Sequence, residues 1–459
     1  MTQQNPHDLP GLRDPARTVT VAVIGAGIAG LIAARELHRR GIDVIVLESA
    51  ARAGGRMMAE TTALGSRVDL GGQWIGHGHH RFEDLAAEFG TTVFAMHTPK
   101  RPKIVDGDKT IKNFGASAAT VTVVLLAWEI ATRLGLPRAQ TTRSVQSWLR
   151  RVPGRRARRL LEVLVSVSTT ADLDRYSMRA FLEMVRFQGG LTTMLSTAGG
   201  AQDSLVAEGA GTLAERLAAD LDGRVVFNSA VTASHRDETG VTIHSASGTY
   251  RAAKVIVTVP PPMAALIEHT PPLPVARNLL QDTTYMGSVY KAIAVYDRPF
   301  WRENGHAESL MLSDPGMAVF DTSAPGGPGH LCVLIAGPEA RGLDDLTADA
   351  RRALILGAIA AQLGSDVLIP RGWHEKSWHQ DRYVGGGYTA LPVIGHDEGY
   401  FPACAAPVGN IHWAGSETAS EHAGYIEGAI ESGERVAREI AEILSATRGD
   451  DATSSPTSS

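Results

Sequence analysis

Apolar and polar positions change period twice within the first fifty residues. Thr18 to Ile24 alternates and then runs apolar, as a buried parallel strand does. From Ile28 to Arg40 the apolar residues Leu31, Ala34 and Leu37 fall on one helical face, and Gly41 ends the pattern. Asp43 to Leu47 is apolar again and stops at Glu48. The pattern predicts strand, helix and strand. Farther along, Arg224 to Val231 and Val241 to Val259 alternate like strands, the last halted by Pro260-Pro261-Pro262. Val289 to Tyr296 is an apolar strand interrupted by Lys291. Gly409 to Ala414 predicts a short strand and Gly415 to Thr418 a turn. Ile426, Ala429, Ile430, Gly433, Val436, Ala437, Ile440 and Leu444 then recur at spacings of three and four, which predicts an amphipathic helix.

Composition sets bounds on this plan. A chain of 459 residues predicts about two or three domains. Hydrophobic residues make up 44% and charged residues 20%, a soluble globular balance. The net charge of −5 gives no general reason to expect nucleic acid or an anionic membrane as partner. Cys332 and Cys404 form no metal or disulfide framework, which favours a reducing compartment. The uncharged run 113–128 is short for a membrane span and contains Ser and Thr. Residues 1–13 and 447–459 are polar and are expected to be disordered. A soluble, cytoplasmic protein is expected.

The segment between the first helix and strand carries chemistry. Gly25-Ala26-Gly27-Ile28-Ala29-Gly30 lies between strand and helix. Gly25 permits a tight turn, Gly27 lets backbone approach a pyrophosphate at the helix N-terminus, and Gly30 lets helix and strand pack closely. Ala29 stands in the same turn. Glu48, at the end of the second strand, suits ribose hydroxyls and would repel a 2′-phosphate, so NADP is disfavoured. Together these predict dinucleotide binding. Arg52-Ala53-Gly54-Gly55-Arg56 and Asp69-Leu70-Gly71-Gly72-Gln73-Trp74 follow. Glycine pairs beside an arginine suit backbone lying against a flat ring system and its phosphates, which points to FAD rather than NAD.

With these motifs, the chain resembles the flavin amine oxidase family, which includes monoamine, polyamine and L-amino-acid oxidases. The resemblance spans about Val19 to Leu444 and is nearest to the monoamine oxidases. Further motifs in matching order are Gly189-Gly190-Leu191 to Ala201-Gln202, Gly287-Ser288-Val289-Tyr290-Lys291 and Gly385-Gly386-Gly387-Tyr388. Trp413-Ala414-Gly415-Ser416-Glu417-Thr418 and Gly424-Tyr425-Ile426-Glu427-Gly428-Ala429 complete the set. The resemblance implies an α/β fold. A Rossmann-like FAD-binding domain of the glutathione-reductase/amine-oxidase type would comprise 14–93, 207–280 and 381–446. A discontinuous α+β substrate-binding domain would comprise 94–206 and 281–380.

The resemblance also implies site residues. Gly25, Gly27, Ala29, Gly30, Glu48, Arg52, Gly55, Arg56, Gly72, Gln73, Trp74, Val231, Gly415, Glu417, Tyr425 and Ile426 would contact FAD. Lys291 would hold a water near flavin N5 and assist oxygen, and Tyr388 and Tyr425 would cage the amine between electron-rich faces. Leu195, Gln202 and Trp378 would line the pocket, with Leu195 at a gate. No metal is expected, despite His77, His79 and His80, because their spacing matches no usual site. The implied reaction moves a hydride equivalent from the amine α-carbon to the flavin, giving an imine, with oxygen reduced to hydrogen peroxide. Amine and oxygen are the expected partners, with neither nucleic acid nor membrane, and a homodimer stays open.

Two departures from the family pattern matter. Gly387 stands where the mitochondrial monoamine oxidases carry the cysteine that tethers their flavin, so non-covalent FAD is expected. Ala50 replaces an arginine often found two residues past the ribose-binding glutamate. Alternatives remain. An L-amino-acid oxidase needs a pocket arginine, for which Arg179 and Arg186 are conceivable. A diamine or polyamine oxidase wants a distal acid, for which Glu183 is the candidate. A flavin-dependent desaturase or isomerase would keep the nucleotide site without the tyrosine pair, as would a flavin-bound scaffold protein. The basic run from Arg150 to Arg159 is expected to be a solvated helix face.

Overall fold

A computed structural model of the chain describes residues 16–98, 102–107, 109–111, 115–134, 142–303 and 309–453. The predicted opening unit forms as β1 (Arg17–Ile24), α1 (Ile28–Arg39) and β2 (Val44–Leu47). Every residue of β2 is buried and β1 is buried from Val21 onward, as continuous apolar runs in a covered parallel sheet must be.

β1 pairs in parallel with β2 on one side and with the strand Gly248–Val257 on the other. The far half of that strand pairs in parallel with Ile411–Trp413, and its near half pairs antiparallel with Gly240–Ser245. Distant parts of the chain thus meet in one eight-stranded sheet. The expected strand 224–231 is interrupted. Only Val225–Val226 pairs with β2, and the next strand starts at Val231. Asn228 takes a positive φ of 53°, and the N–H groups of Asn228 and Ser229 donate to Ala50 and Glu48 carbonyls instead.

A seven-stranded second sheet holds Val289–Tyr296 between Gly372–Ser377 and Gly329–Ala336. That strand is buried along its whole length, so Lys291 does not lie on an edge facing solvent. A helical layer adjoins this sheet, its core built on Trp128, Tyr176, Phe181 and Met184. The basic run is partly engaged. Arg156 pairs with Asp106, while Arg159 pairs with Glu339 and donates to the Ser313 carbonyl at 2.7 Å.

The last helix, Ile426–Thr453, packs on α1, where Gly433 lets the backbone of Ala29 approach closely. It continues past Leu444 to Thr453, which corrects the expectation of disorder from residue 447. The apolar repeat ends there, but no proline follows until Pro456 to break the backbone hydrogen bonding. The expected disorder of 1–13 and 454–459 lies outside the described residues.

Candidate active site

The turn from β1 into α1 forms a cradle. Gly25 has φ +104°, a conformation side chains resist. A Cβ on Gly30 would lie 2.1 Å from the Gly25 carbonyl oxygen, whereas a Cβ on Gly27 would meet nothing within 4 Å. The turn is therefore closed towards the protein at Gly30 and open at Gly27. No side chain caps the start of α1, so its first N–H groups stay available to an anion. An open backbone cradle with this donor set fits a dinucleotide pyrophosphate.

Glu48 is buried, and its carboxylate accepts from the N–H groups of Ala26 at 2.6 Å and Ala50 at 2.8 Å. The acid is thereby fixed beside the cradle. Val231 sits next to the segment that bonds the Glu48 and Ala50 carbonyls. The Gly54 N–H donates to the Ala26 carbonyl, and Gly55 packs on Gly27, so the second glycine motif rests on the first. Gly72 packs against Ile426 at the start of the last helix.

The charged residues of these motifs turn inward. Arg52 donates to the carbonyls of Ala53, Gly55 and Met57, and it lies 5.8 Å from the centre of the Trp378 ring. Arg56 donates to both carboxylate oxygens of Glu417, at 2.6 and 3.0 Å, and to the Tyr388 carbonyl at 2.9 Å. Glu417 also accepts from Thr389 Oγ1 and the Ala390 N–H. Burial pushes its carboxyl up, but Arg56 outweighs that and holds it at about 2. Arg52, Arg56 and Glu417 chiefly brace the site, and Gly415 turns the chain just ahead of Glu417 with φ +114°.

Lys291 is the centre of the second group. Its Nζ donates to the Gly71 carbonyl at 2.8 Å and to Gln73 Oε1 at 2.6 Å, and it lies 5.5 Å from the centre of the Trp74 ring. Burial pushes the ammonium down, opposed by Cys332 and Asp69. Asp69 is itself held by the Ala210 and Gly211 N–H groups at 2.8 and 2.9 Å. The Gln73 amide reaches Cys332 Sγ at 3.8 Å. Tyr388 packs with Trp378 and Val289, and its hydroxyl is buried without a hydrogen-bond partner among the described residues. Trp378 donates to the Leu70 carbonyl at 2.7 Å.

Tyr425 immediately precedes the last helix. Its hydroxyl donates to Gln188 Oε1 at 3.3 Å, and its ring meets His79 edge to face with centroids 5.1 Å apart. Burial raises both tyrosines above the usual range, so both stay protonated and neutral. His79 is lowered to about 3 by burial and by His422 and His80, so it is neutral as well. Gln202 follows Ala201, which packs on Gly76, and Leu195 ends a short helix in the helical layer.

Sequence reasoning missed several of these residues. Asp69 and Cys332 were visible but given no part, and His79 was weighed only for metal. Gln188 and Thr170 carried no signal. Thr170 has φ +60°, costly for a β-branched residue. Its Oγ1 accepts from the Tyr388 N–H at 2.9 Å and donates to the Gly387 carbonyl, fixing the loop that carries Tyr388. Of the residues weighed for other substrates, Arg179 pairs with Glu398, and Glu183 is half-buried among Arg179, Arg186 and Asp397.

The open turn at Gly25–Gly30, two neutral tyrosines and a buried lysine are the chemistry-bearing parts of this site. The sequence profile of the flavin-containing amine oxidoreductases matches residues 28–441. The chain belongs to this family. It is 34% identical over 451 residues to a Mycobacterium tuberculosis protein, AofH, provisionally named a flavin-containing monoamine oxidase, covering 94% of this chain and 98% of that one. It is 31% identical to the flavin-containing amine oxidase B of Bos taurus, over 92% and 85% of the two chains. Among solved structures, cyclohexylamine oxidase from Brevibacterium oxydans superposes with a TM-score of 0.87 at 28% identity, covering 93% and 99%. This member of the family is accordingly an FAD-dependent oxidoreductase acting on amines, and its fold is that of the flavin amine oxidases.

Proposed function

We propose that the protein oxidises small primary or secondary amines to imines, which hydrolyse to aldehydes, and releases hydrogen peroxide. FAD, when bound, supplies the hydride acceptor and is regenerated by oxygen. The observation that carries the reading is the arrangement around Lys291, a buried amine tied to Gly71 and Gln73 beside Trp74. The Gly25–Gly30 turn, Glu48 and the backbone of 54–55 and 72 would hold the cofactor. Tyr388 and Tyr425 would guide a neutral amine between ring faces, and the Tyr388 hydroxyl, with no partner among the described residues, can bond a polar group of the substrate. Lys291 would orient a water through its Nζ and assist the oxygen reaction. No residue in this group is a strong base, and the reaction as written needs none.

Gly387 at the tether position supports non-covalent FAD. The packing of the last helix on α1 and the sheet shared by β1, 248–257 and 411–413 support an FAD-binding unit of 14–93, 207–280 and 381–446 beside a substrate-binding unit. The separate settings of Cys332, buried, and Cys404, exposed, support a cytoplasmic home. The monoamine reading is favoured over the diamine and amino-acid readings because Arg179 already pairs with Glu398, Arg186 is exposed, and Glu183 sits among charges of its own layer. The test is a peroxide-release screen across monoamines, diamines and amino acids. Turnover confined to monoamines is expected. Peroxide from diamines or amino acids alone would overturn the substrate assignment, and none from any class would overturn the oxidase reading.

A further inference from the structure

Residues 76–82 and 422–427 meet in two independent ways. The first is polar. Glu427, 1% exposed at the start of the last helix, accepts from the backbone N–H groups of Arg81 at 3.2 Å and Phe82 at 2.9 Å, and from Arg81 Nη1 at 3.1 Å. It satisfies N–H groups that open the helix His80–Glu88, which the His79 side chain does not cap. The second is a contact between rings. His79 is 2% exposed and packs edge to face with Tyr425 and with His422, at centroid distances of 5.1 and 4.8 Å. The Tyr425 N–H donates to the His422 carbonyl at 3.0 Å, so the ring of Tyr425 and the turn before it bear on one histidine.

His79 is itself fixed. Its Nδ1 accepts from the Gly76 N–H at 2.9 Å, which leaves the ring proton on Nε2. A Cβ on Gly76 would lie 2.8 Å from both Cε1 and Nε2, so the imidazole already fills the space over this glycine. Burial keeps the ring neutral. At the far end of Tyr425, Gln188 Oε1 accepts from the hydroxyl at 3.3 Å. A ring stop and a hydroxyl tie together restrict both side-chain torsions of the tyrosine. We propose that His79 is a positioning residue for amine oxidation, setting the tilt of the Tyr425 ring against which the amine is held. This rests on Tyr425 being one wall of the amine cage. Glu427 anchors the backbone, and His79 aims the ring. Reaction rate is sensitive to small misplacements of a bound reactant, so the aim of the ring matters to the chemistry.

The test is anaerobic stopped-flow reduction of the FAD-loaded enzyme by whichever monoamine releases peroxide fastest. His79→Asn keeps an acceptor for the Gly76 N–H and removes the ring. Its limiting reduction rate should fall about threefold to tenfold, the scale of one edge-to-face pair, with flavin reoxidation by oxygen unmoved. In a Tyr425→Leu background the same substitution should cost less than about twofold, because the ring it aims is gone. His79→Phe returns an aromatic ring to the contact and should recover most of the lost rate. The urea midpoint of the FAD-free protein checks that each variant folds, and His79→Leu gives the same comparison if His79→Asn does not. Parental reduction by a folded ringless variant, or an equal loss with and without Tyr425, would overturn the positioning role. A folded His79→Phe as slow as His79→Asn would overturn it too. Tyr425→Leu alone reducing at the parental rate would instead overturn the cage reading, and the proposal with it.

Discussion

Replacing Glu417 with glutamine tests how the site is braced. Glu417 is 4% exposed, and the Arg56 guanidinium meets both of its oxygens. The carboxyl falls from an ordinary 4.5 to about 2 in the folded protein. At about 1.4 kcal/mol per pH unit, the pair contributes about 3 kcal/mol at neutral pH. This matches the roughly 3–5 kcal/mol lost when one partner of a buried pair is removed. A depressed carboxyl stabilises fully above its unfolded value and loses that contribution as pH falls from about 4.5 through about 2. The difference between parent and Glu417→Gln should therefore shrink from about 3 kcal/mol at pH 7 to about 1.4 kcal/mol near pH 3. Urea unfolding of the FAD-free protein, followed by tryptophan fluorescence, measures it. A difference below about 1 kcal/mol at pH 7, or one unchanged between pH 7 and 3, would refute the reasoning.

Three further outcomes are expected. Lys291→Met should slow flavin reoxidation by oxygen at least about tenfold while leaving reduction by amine within about twofold, seen by stopped-flow absorbance. Unchanged oxygen kinetics would remove its assigned role. Gly30→Ala forces a methyl against the Gly25 carbonyl, 2.1 Å away. It should cost about 1–3 kcal/mol of stability and weaken FAD binding about tenfold or more in a fluorescence titration, and parent-like affinity would count against a tight turn at this point. Acid precipitation should leave all yellow colour in the supernatant, whereas a yellow pellet would mean a covalent tether.

The opening unit was legible because its signals are local: one period change, three glycines and one acid within thirty residues. Lys291 was legible for a different reason. A cation inside an apolar strand must find partners, and its neighbours on the chain already exclude water. The direction of the site's other charged side chains was not legible. Arg52 and Arg56 stood in the right motifs, but nothing local says that Arg56 spends its donors on Glu417, 361 residues away. Thr170 and Gln188 were hidden for the same reason, since their partners Tyr388 and Tyr425 arrive more than two hundred residues later. The 225–226 strand was overextended because alternation continues through a segment whose backbone bonds go to Glu48 and Ala50.

The return of Ile411–Trp413 to the first sheet, and of the last helix onto α1, sets a timetable for biosynthesis. The Gly25–Gly30 turn leaves the ribosome early, yet its helix lacks its packing partner until residues beyond Gly433 have been made. At roughly 5–20 residues per second, the first tenth of the chain waits tens of seconds for the segment that buries it. FAD capture is therefore expected to follow synthesis of the last helix. A nascent chain stalled short of the final helix would expose the apolar flank of α1 to chaperones and carry no flavin.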